Sequence, residues 1–200
     1  MSALRKQSNQ ELRTRKDLLL AGIRLLKKGR KPTMEEVAEE ALVSRATAYR
    51  HFQTVDVLLA ETAAESSVVS PEQLFANNTS DDPEARIDEA EASLHKAVYE
   101  NEAQLRVMLA NSVMRALEDS SVPVRQNRRG PLIEAALAPA RHRFGDAEYQ
   151  KLCAALAMIF GPESMIVARD VIGIDDKYAR EVKSWAVRAL VRAALEASAK

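Results

Sequence analysis

Apolar residues recur at helical spacing along most of this chain, interrupted by short polar stretches that cap or break helices. Leu12, Leu18, Leu19, Ile23, Leu25 and Leu26 predict a first helix. Ser8-Asn9-Gln10-Glu11, a hydroxyl followed three residues later by a carboxylate, has the form of a capping box at its start. That helix should end at Gly29, before Pro32. Thr33-Met34-Glu35-Glu36 is a second capping box and opens a short helix carrying Val37, Ala38 and Ala41. Ala41-Leu42-Val43 leaves room only for a tight turn before Ser44, which can cap a third helix over Arg45 to His51, closed by Tyr49 and Phe52. Thr54, with Asp56 in the first turn, caps a fourth helix through Val57, Leu58, Leu59 and Ala63.

Beyond these, Ser70-Pro71 and Asp82-Pro83 each place proline at a first helical position, and 77–82 reads as a loop. Helices are predicted over 83–100, 102–119, 129–144, 147–172 and 175–198. Pro139 and the Gly161-Pro162 pair should kink or break two of them.

Composition agrees with an all-α class. Alanine supplies 33 of 200 residues, aromatics only 4%, and there are six glycines, too few for the turns of a β-protein. The single Cys153 excludes an internal disulfide and a cysteine-cluster zinc site. Leu18 to Ile23 is too short to span a bilayer, and no cleavage signal follows a hydrophobic run, so a cytoplasmic protein with no membrane partner is expected. Lys and Arg balance Asp and Glu at 29 each, but unevenly along the chain. Residues 1–60 hold 12 basic and 7 acidic side chains, a net of +5, and the remainder holds 17 and 22, a net of −5. A basic N-terminal third suits a polyanionic partner, although charges clustered on solvated faces produce the same asymmetry.

The two short helices decide what the charge means. Helices of about eight residues joined by three cannot stand alone and need a third helix, which residues 9–28 supply. In a helix-turn-helix of this kind the second short helix enters the DNA major groove. Val37, Ala38, Val43, Ala48 and Phe52 can face inward, leaving Arg45, Ala46, Thr47, Tyr49, Arg50 and His51 wholly or partly outward. Arginine can fork onto guanine, while Ala46 and Thr47 could touch thymine methyls. Thr33, Thr54, Tyr49 and His51 sit where phosphate contacts would fix register. With Ser44, the candidate DNA-binding residues are Thr33, Ser44, Arg45, Ala46, Thr47, Tyr49, Arg50, His51 and Thr54.

Residues 15–60, above all Val37-Ala38 through Ala41-Leu42-Val43-Ser44-Arg45-Ala46-Thr47-Ala48-Tyr49-Arg50-His51-Phe52, resemble the DNA-binding domain of TetR-family transcriptional regulators. In that pattern a VA or IA pair leads, after a short turn, to VS and then to Y-x-H/Y-F; here an aspartate and the Leu58-Leu59 pair follow. Leu42 stands where the family usually has glycine, and Val55 where a lysine often precedes the acidic residue. The basic loop Lys27 to Pro32 lacks the usual aromatic after its glycine. The resemblance implies a DNA-binding domain over residues 1–53 and a helical ligand-binding and dimerisation domain over 54–200, with helix 54–66 connecting them. It also implies a homodimeric repressor, released from a palindromic double-stranded operator by a small-molecule effector.

The last helices allow a separate reading. Tyr178, Val182, Trp185, Ala189 and Ala193 share one face of the final helix, while Val187, Leu190, Val191 and Leu195 lie on others. A helix apolar nearly all round is buried on more than one side, which a dimer bundle or a larger monomer core would satisfy. The residues expected at a dimer interface are Ile159, Met165, Ala168, Trp185, Ala189 and Ala193. Candidate ligand contacts are His95, Tyr99, Met108, Asn111, Ser112 and Arg115, polar groups on or beside an apolar lining. Equally, Ser112 could bond back to its own helix and Arg115 could pair with a carboxylate.

No enzyme signature accompanies them. His51, His95 and His142 lie on different predicted helices without metal-ligand spacing, and there is no glycine-rich phosphate loop or nucleophile elbow. No cofactor and no metal are expected. The alternative is a helical ligand-binding or protein-docking module whose helix-turn-helix does not read DNA, a reading that Leu42 and Val55 motivate.

Overall fold

A computed structural model describes residues 2–28, 31–66, 69–118, 127 and 129–199. Among the described residues the regular structure is entirely helical. In chain order the helices are α1 (Ser2–Leu26), α2 (Met34–Glu40), α3 (Arg45–His51), α4 (Val55–Ser66), α5 (Pro71–Leu74), α6 (Pro83–Glu100) and α7 (Glu102–Glu118). They continue with α8 (Arg129–Leu137), α9 (Asp146–Ile159), α10 (Pro162–Ile166) and α11 (Asp176–Ser198). A 3₁₀ turn, Ala138–Arg143, extends α8, and a π-helical segment, Val167–Ile172, extends α10.

The chain forms two compact units, one from residues 1–67 with 103–126 and the other from 68–102 with 127–200. The division expected after residue 53 therefore falls inside the first unit, because α4 packs along α1 and its Leu58 is wholly buried in the same core. That core is built from Leu18, Leu19, Ala21, Leu25, Met34, Val37, Ala38, Ala48, Phe52 and Leu58. Gly22 permits the close approach of α4: a Cβ there would lie 2.8 Å from a Leu58 methyl and 2.9 Å from the Thr62 hydroxyl. Ser8 does not cap α1, which begins at Ser2, since Ala3 to Gln7 are strong helix formers with nothing to stop them. The helix stops at Leu26 rather than Gly29; Gly29 and Arg30 lie outside the described residues.

In the second unit α6, α8, α9 and α11 enclose Ile87, Leu132, Ile133, Leu137, Phe144, Leu152, Leu156, Phe160, Val187 and Val191. The helix expected over 129–144 breaks where Pro139 removes the N–H that would have bonded the Ala135 carbonyl. Buried Arg86 replaces that donor, its Nη2 reaching Ala135 O at 3.0 Å and its Nε reaching Ala136 O at 2.9 Å. The helix expected over 147–172 breaks at Gly161, whose φ of 111° suits only glycine. Arg129 Nη1 satisfies the carbonyls exposed by that break, Ala157 O at 2.7 Å and Phe160 O at 2.6 Å. The two arms meet at 48°. Among the described residues no single helix is long and apolar enough to cross a membrane.

Candidate nucleic-acid interface

The turn between α2 and α3 is a Schellman motif. Val43 N donates to Ala38 O at 2.9 Å and Leu42 N to Glu39 O at 3.0 Å, which places Leu42 at the left-handed position with φ 56°. Leu42 thus adopts the conformation a glycine would supply, and its side chain is 94% exposed. Both flanking helices start on side-chain caps. Thr33 and Glu36 complete the capping box of α2, while Ser44 Oγ accepts from Thr47 N at 3.1 Å and shares a 2.8 Å bond with the Thr47 hydroxyl. Thr54 Oγ1 accepts from Val57 N at 3.3 Å at the start of α4.

Ala48 and Phe52 lock α3 into the core, so the opposite side carries Arg45, Ala46, Tyr49 and Arg50, all exposed, with Thr47 half-buried. Thr33, Ser44 and Thr54 are exposed at the helix starts. Arg45 Nε lies 2.8 Å from Glu35 of α2, and its guanidinium sits 5.5 Å from the Tyr49 ring centroid. The pair is solvent-exposed and therefore weak, leaving the fork of Arg45 available to a stronger acceptor. Lys31, paired with Asp56 at 2.5 Å, adds a cation beside the start of α4.

His51 departs from expectation. It is 6% exposed rather than outward, because it lies three residues after buried Ala48 and shares that face of α3. Its backbone carbonyl accepts from Arg15 Nη1 at 2.8 Å. Arg15, a buried side chain behind α3, is one that the sequence reading passed over. It is 7% exposed, lies 4.1 Å from the Phe52 ring centroid and pairs with buried Glu61 of α4. The signal was present: Arg15 falls three residues after Leu12 and four before Leu19, within the apolar stripe of α1.

The candidate ligand residues divide between the units. His95 and Tyr99 belong to the second, where their rings stack 4.3 Å apart beside buried charges. There wholly buried Glu91 meets Lys183 at 2.5 Å and Arg180 at 3.1 Å, and Asp88 meets Arg188 at 2.7 Å. Burial, with Lys183 and Arg180 nearby, holds His95 down at about 4; burial also pushes Glu91 up and Lys183 down. Met108, Asn111, Ser112 and Arg115 belong to the first unit. Asn111 and Ser112 donate into their own helix, to Val107 O and Leu109 O at 2.8 Å each, and Met108 is buried; the Arg115 side chain lies outside the described residues.

Of the residues expected at a dimer interface, Trp185 is 70% exposed, Ala193 is exposed, and Ile159 and Ala189 are half-buried. Met165 and Ala168 are instead covered by the chain itself. The break at Gly161 and the wide π turn reset the helical register, so Val167, Val171 and Ile172 face outward in their place. Among the described residues no group of three or more His, Cys, Asp or Glu side chains could hold a metal ion.

Two short helices around a tight turn, backed by α1 and α4 and presenting a basic outer row, define a helix-turn-helix DNA-binding protein. Residues 18–62 match the family described as bacterial regulatory proteins, tetR family. Residues 18–62 thus carry that family's DNA-binding domain. No curated protein and no solved structure matches it.

Proposed function

We propose that the chain acts as a homodimeric repressor that grips a palindromic operator with α3 and leaves it when the helical domain takes up a small molecule. The observation carrying the DNA half is the row Arg45, Ala46, Tyr49 and Arg50, exposed on a helix whose other side is locked by Ala48 and Phe52. Arg45 and Arg50 supply base or phosphate contacts, while Ser44, Thr33 and Thr54 lie at helix starts that suit phosphate. His51 contributes through its backbone rather than by touching DNA.

Dimerisation is supported by uncovered apolar side chains. Tyr178, Val182 and Trp185 of α11 are 55%, 41% and 70% exposed, and Met158, Val167, Val171 and Ile172 add to them. They form an apolar surface of the kind from which an interface burying roughly 800 Å² per partner is assembled. Two reading heads on one operator make binding steep in their separation, which gives a ligand-induced shift of α4 its leverage.

The test is binding to duplexes selected from a randomised pool, against scrambled duplex over a range of salt, with sedimentation in parallel. Selectivity of about 10³-fold or more by a dimer is the expected result. Equal weak binding to both duplexes would favour a docking module that does not read DNA.

A further inference from the structure

We infer that Arg15 is a positioning residue for the reading helix, a buried guanidinium that ties the C-terminus of α3 to α4. The inference rests on the reading of α3 as the DNA-contacting helix and adds a residue that does not itself touch DNA.

Three contacts converge on one side chain. Nη1 donates to His51 O at 2.8 Å, Nη2 pairs with Glu61, and the guanidinium lies 4.1 Å from the centroid of Phe52. These partners lie 36 and 46 residues away in sequence, on two different helices. His51 O is one of the carbonyls that a helix end leaves without an internal partner, and a cation there also suits the negative end of the helix dipole. Glu61 is 4% exposed, so it cannot exchange Arg15 for water without leaving a buried charge unpaired.

The geometry makes the guanidinium a coupler. Arginine presents its donors in a rigid plane, so one part cannot follow Glu61 while another stays fixed on His51. If α4 slides along α1, Glu61 draws the guanidinium with it and the end of α3 loses its donor. A cavity of 10 Å³, about the size that admits one water, borders Arg15, Glu61, Asn111 and Ser112. The same cavity is lined from α7, within the same compact unit. A displacement of α4 acts directly on the charge pair.

The decisive variant removes both charges. Arg15→Met alone strands Glu61 and could unfold the unit, whereas Arg15→Met with Glu61→Met replaces the pair by apolar side chains of similar reach, a change that folds tolerate. The double variant should keep the thermal midpoint of the wild type. Its amide exchange over residues 45–52 should quicken about tenfold while that of 34–40 stays unchanged, and its selectivity for pool-selected duplex over scrambled duplex should fall by about tenfold. Arg15→Lys should keep the charge pair but lose the fork to His51 O, so it should show the faster exchange too. Unchanged exchange and selectivity in the double variant would overturn the inference. The exchange measurement uses no DNA. If the wild type selects no duplex, the regulator reading falls while exchange over 45–52 still decides whether Arg15 positions α3.

Discussion

Leu42 should be stabilised by losing its side chain to glycine. Its φ of 56° is one that non-glycine residues adopt at a cost of ~1–2 kcal/mol, from the crowding of Cβ against the following carbonyl. With 94% of its surface exposed, Leu42 recovers almost none of that cost through burial. Glycine removes the crowding but loses ~0.5–1 kcal/mol through the greater freedom of the unfolded chain. At the mid-points of those ranges Leu42→Gly is more stable by about 0.75 kcal/mol, a rise of roughly 1–3 °C in the thermal midpoint of a chain this size. Urea denaturation followed by circular dichroism, with amide exchange at Val43 N–H, would read both the global and the local gain. Leu42→Ala is the control: it deletes the exposed side chain but keeps the Cβ, so it should gain nothing. An equal gain from alanine would mean that hydrophobic exposure and not backbone strain is being relieved. A loss of stability in Leu42→Gly would refute the argument outright.

Three further outcomes follow from the same contacts. Arg45→Ala should cost ~1–3 kcal/mol in operator binding and relax selectivity at one base pair, measured by titration against a panel of duplexes. A uniform loss across that panel would assign Arg45 to phosphate instead. Trp185→Glu should yield monomers in sedimentation, with operator affinity lost and thermal stability retained, because the indole is 70% exposed in the isolated subunit; an unchanged dimer would move the interface elsewhere. His95, held at about 4 against an ordinary 6.5, stays neutral in the folded chain where the unfolded chain binds a proton. Stability should therefore fall by ~1–3 kcal/mol as pH drops through that window, and His95→Gln should flatten that part of a pH series of denaturation curves.

The reading head was legible because its signals are local. Thr33, Ser44 and Thr54 sit one residue before the helices they cap, and each bonds the N–H three residues on, a relation visible as a spacing. Ala48 of α3 and Phe52, the residue that ends it four positions on, are both buried, a spacing that periodicity also reports. His51 lies three residues after Ala48 and so shares its buried face, a spacing that the outward assignment of the imidazole overlooks. The other failure occurs where a local rule is carried past the point at which the backbone changes course. A kink or break is expected at Gly161-Pro162, but Met165 and Ala168 are still placed on one face with Ile159; the break and the π turn after it shift which side chains face out.

The harder class is the buried cation that serves distant backbone. Pro139 announced where a helix would break, yet nothing near it indicated that Arg86, some fifty residues earlier, would supply the missing donor. Arg129 does the same for the break at Gly161, and Arg15 for the open end of α3. In each case a carbonyl freed by the end or interruption of a helix is met by a guanidinium that is largely withdrawn from water. Such a carbonyl has two choices, solvent or a donor carried in from elsewhere, and inside a helical core only a long side chain can reach it. An arginine in an apolar stripe, as Arg15 is between Leu12 and Leu19, therefore carries more information than one on a polar face. Its burial is tolerable only if the fold returns a helix end to it. Here the helix end returned is that of the element presenting Arg45 and Arg50.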